Sequence, residues 1–209
     1  MDVILQFLIL FPALLVAIIA HEYMHGYVAY KLGDPTPKYA GRLTLNPLAH
    51  IDIFGMFVVP AILLLATKGR IVFGWAKPVP INFRNLRRPR QDMVLVGLAG
   101  PLANIILAVI ASFLLKAPFI HNNGTIFPLI NYFIVINLVL TIFNLIPIPP
   151  LDGSRVLMGF LPVKLAYEYM RLEPYGMIIL IALLYFGLIG EVVWPLVSFL
   201  LKFLTGSGL

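Results

Sequence analysis

Residues 3–20 form an apolar run without a charged side chain, and helix-compatible residues continue to about Leu32, where Gly33-Asp34-Pro35 stops a helix. A run of that kind is long enough to cross a bilayer. Met93–Leu115 and Ile126–Ile146 repeat the pattern, the first interrupted by Gly100-Pro101 and the second closed by Pro147. The chain is 61% hydrophobic and 11% charged, where soluble domains average about half and a quarter. A water-soluble core cannot absorb that surplus, so lipid must be the solvent for much of the surface. These features predict an all-α polytopic membrane protein of about four to six transmembrane helices, forming a single domain over residues 1–209.

The connecting segments suggest an orientation. The net charge is +6, and Lys31, Lys38, Arg42, Lys68, Arg70, Lys77, Arg84, Arg87, Arg88 and Arg90 fall in the gaps between apolar runs. That is the positive-inside bias of membrane loops, so no nucleic-acid partner is expected. Met1-Asp2-Val3 places no basic region ahead of the first run, which is therefore read as a retained span rather than a cleaved signal. With Asp2 before it and Lys31, Lys38 and Arg42 behind, its N-terminus is expected outside and its other end at the cytoplasm. His121-Asn122-Asn123-Gly124 becomes an outer turn on this reading.

Ile53–Ala66 is short for a span at about 14 residues. The β-branched residues, glycines and prolines from Gly69 to Pro80 then oppose a helix. If Ile53–Ala66 crossed and nothing returned, the basic stretch Arg84–Arg90 would lie outside. The expectation is a re-entrant hairpin between the first and second full spans, turning near Thr67–Gly74 and returning extended. Non-helical backbone at that depth is tolerated only against protein or a water-filled cavity. Near the end of the chain, Tyr175–Gly190 and Val192–Leu204 are apolar and separated by Glu191. They read as one long helix or as a span followed by an interfacial segment.

The chemistry gathers at the end of the first run, in His21-Glu22-Tyr23-Met24-His25. Histidines four apart on a helix project from one face, a turn apart, and can share one Zn²⁺. Glu22 flanks that face, placed to take a proton from a zinc-activated water. Polar side chains within a membrane helix each cost roughly 2.5–3.5 kcal/mol when unpaired, which argues against an incidental pattern. At about 1.5 Å per residue, His21 lies roughly 27 Å along the helix from Val3, near one edge of the hydrocarbon core. The chain has no cysteine, so imidazole and carboxylate must hold any metal.

A catalytic zinc takes three protein ligands and keeps one position open. Asp152 is the favoured third. Pro147, Pro149 and Pro150 forbid helix before it, and Gly153 permits a tight turn after it. The alternatives are that Asp152 caps a helix from Gly153 to about Phe160, or that His50 or Asp52 supplies the ligand.

Three motifs taken together resemble the site-2 protease family of intramembrane zinc metalloproteases, in its compact branch. They are His21–His25, Ala99-Gly100-Pro101-Leu102-Ala103-Asn104, and Asn144 through Gly153, and Phe73-Gly74-Trp75-Ala76-Lys77-Pro78-Val79-Pro80 is similar to a further family segment. The resemblance covers roughly residues 8–160. It implies one zinc per chain on His21, His25 and Asp152, with Glu22 as general base. Asn104 and Asn144 would then lie near the metal, stabilising the oxyanion or the unwound substrate. Phe73, Gly74 and Trp75 would belong to a strand-like edge for the substrate. Transmembrane proteins would be the substrates, within the cell membrane. The stretches after Leu115 and Asp152 are too short for a PDZ or CBS module. Two other classes compete: a membrane metal transporter, which has no use for Glu22, and an inert client-binding relative, which would be expected to have lost one of the four key residues.

Overall fold

The computed structural model describes residues 3–69 and 73–206. Helix α1 runs over Val3–Lys31 and α2 over Phe54–Ala66, the latter opening with a wide π-type turn. Helices α3 (Pro89–Leu115) and α4 (Ile126–Asn144) follow, then α5 (Asp152–Phe160), α6 (Val163–Met170), α7 (Glu173–Tyr185) and α8 (Leu188–Thr205). By length and composition α3, α4 and α8 can each cross a bilayer. The chain is thus an all-helical polytopic membrane protein, as its hydropathy predicts.

Helix α3 is the central element, packed against α1, α4 and α5, while α8 closes on α4. Its contact face is made of small residues, with Gly97, Gly100, Ala103, Ala108 and Ala111 all buried. Small side chains let helix backbones approach where hydrophobicity supplies no force between helices. The opposite face, with Ile106, Ile110 and Phe113 more than half exposed, suits lipid. Away from the loops, Ile134, Leu138, Leu180, Val197 and Leu201 form a closely packed apolar core.

Two expectations about breaks are corrected. Gly100-Pro101 does not interrupt α3, which is continuous through Pro101. A proline is tolerated in a membrane helix where packing against neighbouring helices holds the segment, and Pro101 is buried in α3, which packs against α1 and α4. The late apolar region divides at Gly187, not at Glu191. Gly187 has φ +76° and separates α7 from α8, the left-handed conformation glycine supplies at helix ends. Glu191 lies in the first turn of α8, where the helix dipole favours a carboxylate.

The segment between α1 and α3 forms the expected hairpin. Lys68 and Gly69 turn the chain with positive φ, and Arg70, Ile71 and Val72 lie outside the described residues. Residues 73–82 return without helix, Trp75 N–H donating to Gly55 O at 3.1 Å and Lys77 N–H to His50 O at 3.0 Å. Gly55 and Gly74 allow the close approach, since a Cβ on Gly55 would collide with Trp75 and one on Gly74 with the Gly55 carbonyl. Buried Asp34 ties the end of α1 to the end of this segment. It accepts from the Asn82 N–H at 2.7 Å, the Asn85 amide at 2.9 Å and the Thr36 N–H at 3.1 Å.

Candidate active site

His21 and His25 stand on the face of α1 that packs on α3, their ring centroids 4.6 Å apart and their planes 80° to each other. Each imidazole is fixed through Nδ1. His25 Nδ1 meets the Val96 carbonyl at 2.7 Å, and His21 Nδ1 meets Asn104 Oδ1 at 2.6 Å. Both partners only accept, so both Nδ1 atoms carry protons. The asparagine orientation follows from backbone groups. Asn137 Nδ2 donates to Phe133 O, and Asn104 Nδ2 donates to Ala17 O and to Asn137 Oδ1. Only Asn104 Oδ1 is then left for His21.

The two Nε2 atoms converge on one carboxylate oxygen. Asp152 Oδ2 lies 3.0 Å from His21 Nε2 and 3.1 Å from His25 Nε2. With both Nδ1 atoms protonated, neutral rings present two lone pairs to a carboxylate, an arrangement that requires either an extra proton or a cation between them. The spacing is close to the edge of a tetrahedron built on zinc–ligand distances of about 2.0–2.1 Å. These are the three residues whose ligand atoms gather within 4.8 Å of one another among the described residues.

Glycines make room for this convergence. A Cβ on Gly100 would strike Nε2 of both histidines, and one on Gly97 would lie 3.2 Å from the Asp152 carbonyl. Asp152 itself opens α5, with Leu151 extended at the N-cap and no side-chain capping bond. It therefore does not act as the cap. Gly153 answers a steric need rather than a turn, because a Cβ there would run into the carbonyls of Leu145 and Ile146. His50 and Asp52 lie elsewhere. His50 Nε2 donates to Thr44 O at 2.9 Å, and Asp52 accepts from the Gly55 N–H at 2.9 Å.

Glu22 lies beside the convergence, its Oε2 accepting from the Val79 N–H at 2.8 Å. His21, Glu22, Gly74, Trp75 and Asn144 border a largely apolar cavity of about 410 Å³, which Phe73 and Phe143 also line. A second, more polar cavity of about 300 Å³ adjoins it, bordered by His25, Asp152, Arg155 and the same Glu22 and Asn144. Asn144, the last residue of α4, donates to Leu140 O at 2.9 Å. Asn104, by contrast, is fully buried behind His21. Sequence reasoning passed over Asn137 and the Val96 carbonyl. A buried amide in a lipid-spanning helix was the available signal for Asn137, while nothing in a sequence marks a particular carbonyl.

Fold and site together define a helical membrane protein with two histidines and an aspartate placed to hold a metal ion and a glutamate beside them. Residues 118–187 match the model of Peptidase family M50. The chain is 40% identical over 194 residues to "Putative zinc metalloprotease YwhC" of Bacillus subtilis, covering 88% of this chain and 84% of that protein. It is 28% identical over 178 residues to "Putative zinc metalloprotease Rip2" of Mycolicibacterium smegmatis, covering 85% and 67% respectively. Against "Zinc metalloprotease MJ0392" of Methanocaldococcus jannaschii the identity is 28% over 159 residues, 76% of this chain and 36% of the other. No solved structure matches the chain at a significant level. The chain belongs to peptidase family M50, the site-2 proteases, and is a zinc metalloprotease. That membership answers the transporter alternative and makes zinc the metal for which the site is built.

Proposed function

We propose that this protein hydrolyses peptide bonds in or near transmembrane segments of other membrane proteins, with one zinc on His21, His25 and Asp152 and Glu22 as general base. Residues 1–209 act as one domain whose catalytic core is about 8–160. The observation that carries the reading is that Glu22 and His21 border both cavities, one apolar and one polar. A hydrophobic segment enters the first, and water reaches the same point through the second. Bound zinc supplies Lewis acidity towards a peptide carbonyl and towards water. Glu22 takes the proton from the attacking water and returns it to the leaving amine.

A transmembrane helix must unwind to present a carbonyl, and its freed backbone groups then need partners. Trp75 and Lys77 direct their N–H groups into the hairpin. Among the described residues, the peptide groups of Gly74 and Ala76 make no hydrogen bond, and both residues line the apolar cavity. Phe73, Gly74 and Trp75 thus form the rim of an edge to which an extended substrate adds as a strand. Asn144 stands across that cavity with its carbonyl oxygen uncommitted and binds the unwound substrate. Asn104 is a positioning residue for His21. The basic loops around residues 31–42 and 84–90 support an orientation with the N-terminus outside and the site towards the cytoplasm.

The test is reconstitution in liposomes with a single-span substrate carrying a photocrosslinker along its helix. Cleavage should stop on zinc chelation and return with zinc, and crosslinks should form to Trp75 or Ala76. Cleavage of soluble peptides alone, with no crosslink to that segment, would overturn the intramembrane reading.

A further inference from the structure

The Pro78–Val79 peptide group is held from both edges. At one edge, the Val79 N–H donates to Glu22 Oε2 at 2.8 Å. At the other, Arg42 Nη2 donates to the Pro78 carbonyl at 3.2 Å and also to the Lys77 carbonyl. This peptide is trans, the sole cis bond among the described residues being Pro149–Pro150. Its C=O and N–H therefore point in opposite directions. Arg42 and Glu22 grip one rigid plane from opposite sides, a cation on its oxygen and a carboxylate on its N–H.

Arg42 is only 6% exposed, and among the described residues no carboxylate lies within ion-pairing distance of it. Its Nε has no hydrogen-bond partner. Burying an arginine without an acid is costly, and simple stapling of two carbonyls could be done by a neutral amide. A cation serves a different purpose. Charge at the carbonyl polarises the peptide and makes its N–H a stronger donor to the carboxylate beyond, because linked hydrogen bonds reinforce one another at low dielectric. Packing keeps the plane in register, since a Cβ on Gly26 would lie 3.0 Å from Val79 Cγ1 and 2.9 Å from Leu43.

We infer that Arg42 is a positioning residue for Glu22, acting through the Pro78–Val79 peptide to hold the base beside the metal ligands. The inference rests on the function proposed above. It assigns Arg42 an effect on the rate of the chemical step rather than on metal retention or substrate docking.

The experiment compares Arg42→Gln, Arg42→Lys, Glu22→Gln, Glu22→Asp and the double variant Arg42→Gln/Glu22→Asp. Zinc content, kcat and KM are measured on a membrane-embedded substrate. Arg42→Gln should lower kcat about tenfold or more, with zinc content and KM unchanged. Arg42→Lys should recover part of the loss, and in the Glu22→Asp background the Arg42→Gln effect should shrink, as expected of residues acting through one contact. Unchanged kcat in Arg42→Gln, a rise in KM alone, or an equal loss in both Glu22 backgrounds would each overturn the assignment. Should Arg42→Gln not fold, Val79→Pro removes the same N–H from a segment that is already without helix, and full kcat there overturns it equally. If Glu22→Gln cleaves like the wild type, the catalytic reading beneath the assignment fails. If Glu22→Gln is inactive while the Arg42 variants keep full kcat, only the Arg42 assignment fails.

Discussion

Asn104 accepts the Nδ1–H of His21 at 2.6 Å while its own amide nitrogen donates to Ala17 and Asn137. The imidazole is thereby set with Nε2 facing Asp152, and the setting passes back through Asn137 to the backbone of α4. Groups that orient a metal-bound histidine through its second nitrogen typically account for about 10–100-fold in metal affinity. Asn104→Leu should weaken zinc binding by that order, measured by competition with a calibrated chelator. Asn137→Leu, one step further out, should cost less, and the double variant should be less than additive.

Gly100→Ala should disrupt zinc binding without unfolding the bundle, because its methyl group would occupy the space of both Nε2 atoms. Alanine favours a helix over glycine by up to about 1 kcal/mol, so helix α3 itself should not suffer. Gly190→Ala is the control, with its nearest neighbour, on Trp194, 3.6 Å from the added carbon. Circular dichroism should be alike for both proteins and zinc content should differ.

Asp152→Ala should lower zinc occupancy by about 100-fold or more, beyond the usual effect of an outer-shell change. Asp52→Ala and His50→Ala should leave it near the wild-type value, since these residues cap α2 and bond to Thr44. Metal analysis after dialysis checks the order, and the reverse order would relocate the site.

How much of this was legible in the sequence follows from the kind of signal each residue carried. The four-residue spacing of His21 and His25 fixed them on one helical face before any coordinates, and the prolines before Asp152 marked non-helical chain at membrane depth. Asn104 was noticed, but an amide in an apolar helix does not reveal which neighbour it meets. It lies behind His21 rather than in the cavity. Pro101 suggested a break because local rules omit the neighbouring helices against which it is buried. Glu191 attracted the helix boundary as the one charge between Glu173 and Lys202, although the backbone turns at Gly187. The contact between Arg42 and the Pro78–Val79 peptide joins loops some 36 residues apart, and no periodicity encodes it.

Asp34 gives the acid limb of stability. Burial acts to raise its carboxyl, but hydrogen bonds from Thr36, Asn85 and the Asn82 N–H outweigh it and hold the group below its usual value. A carboxylate depressed on folding contributes stability above its unfolded pKa of about 3.9, and the contribution is lost as pH falls through the folded value. Asp34→Asn should therefore lower the melting temperature near pH 7 and reduce its fall on acidification. Parallel wild-type and variant curves down to about pH 3 would contradict this.

The proposed hydrolysis depends above all on Glu22 as the base beside a zinc held by His21, His25 and Asp152. Its most direct measurement is cleavage of a reconstituted transmembrane substrate by wild type and Glu22→Gln at equal, measured zinc content. Full zinc is expected in both proteins, with cleavage lost in the variant by at least about 100-fold. Equal cleavage by the two would contradict it.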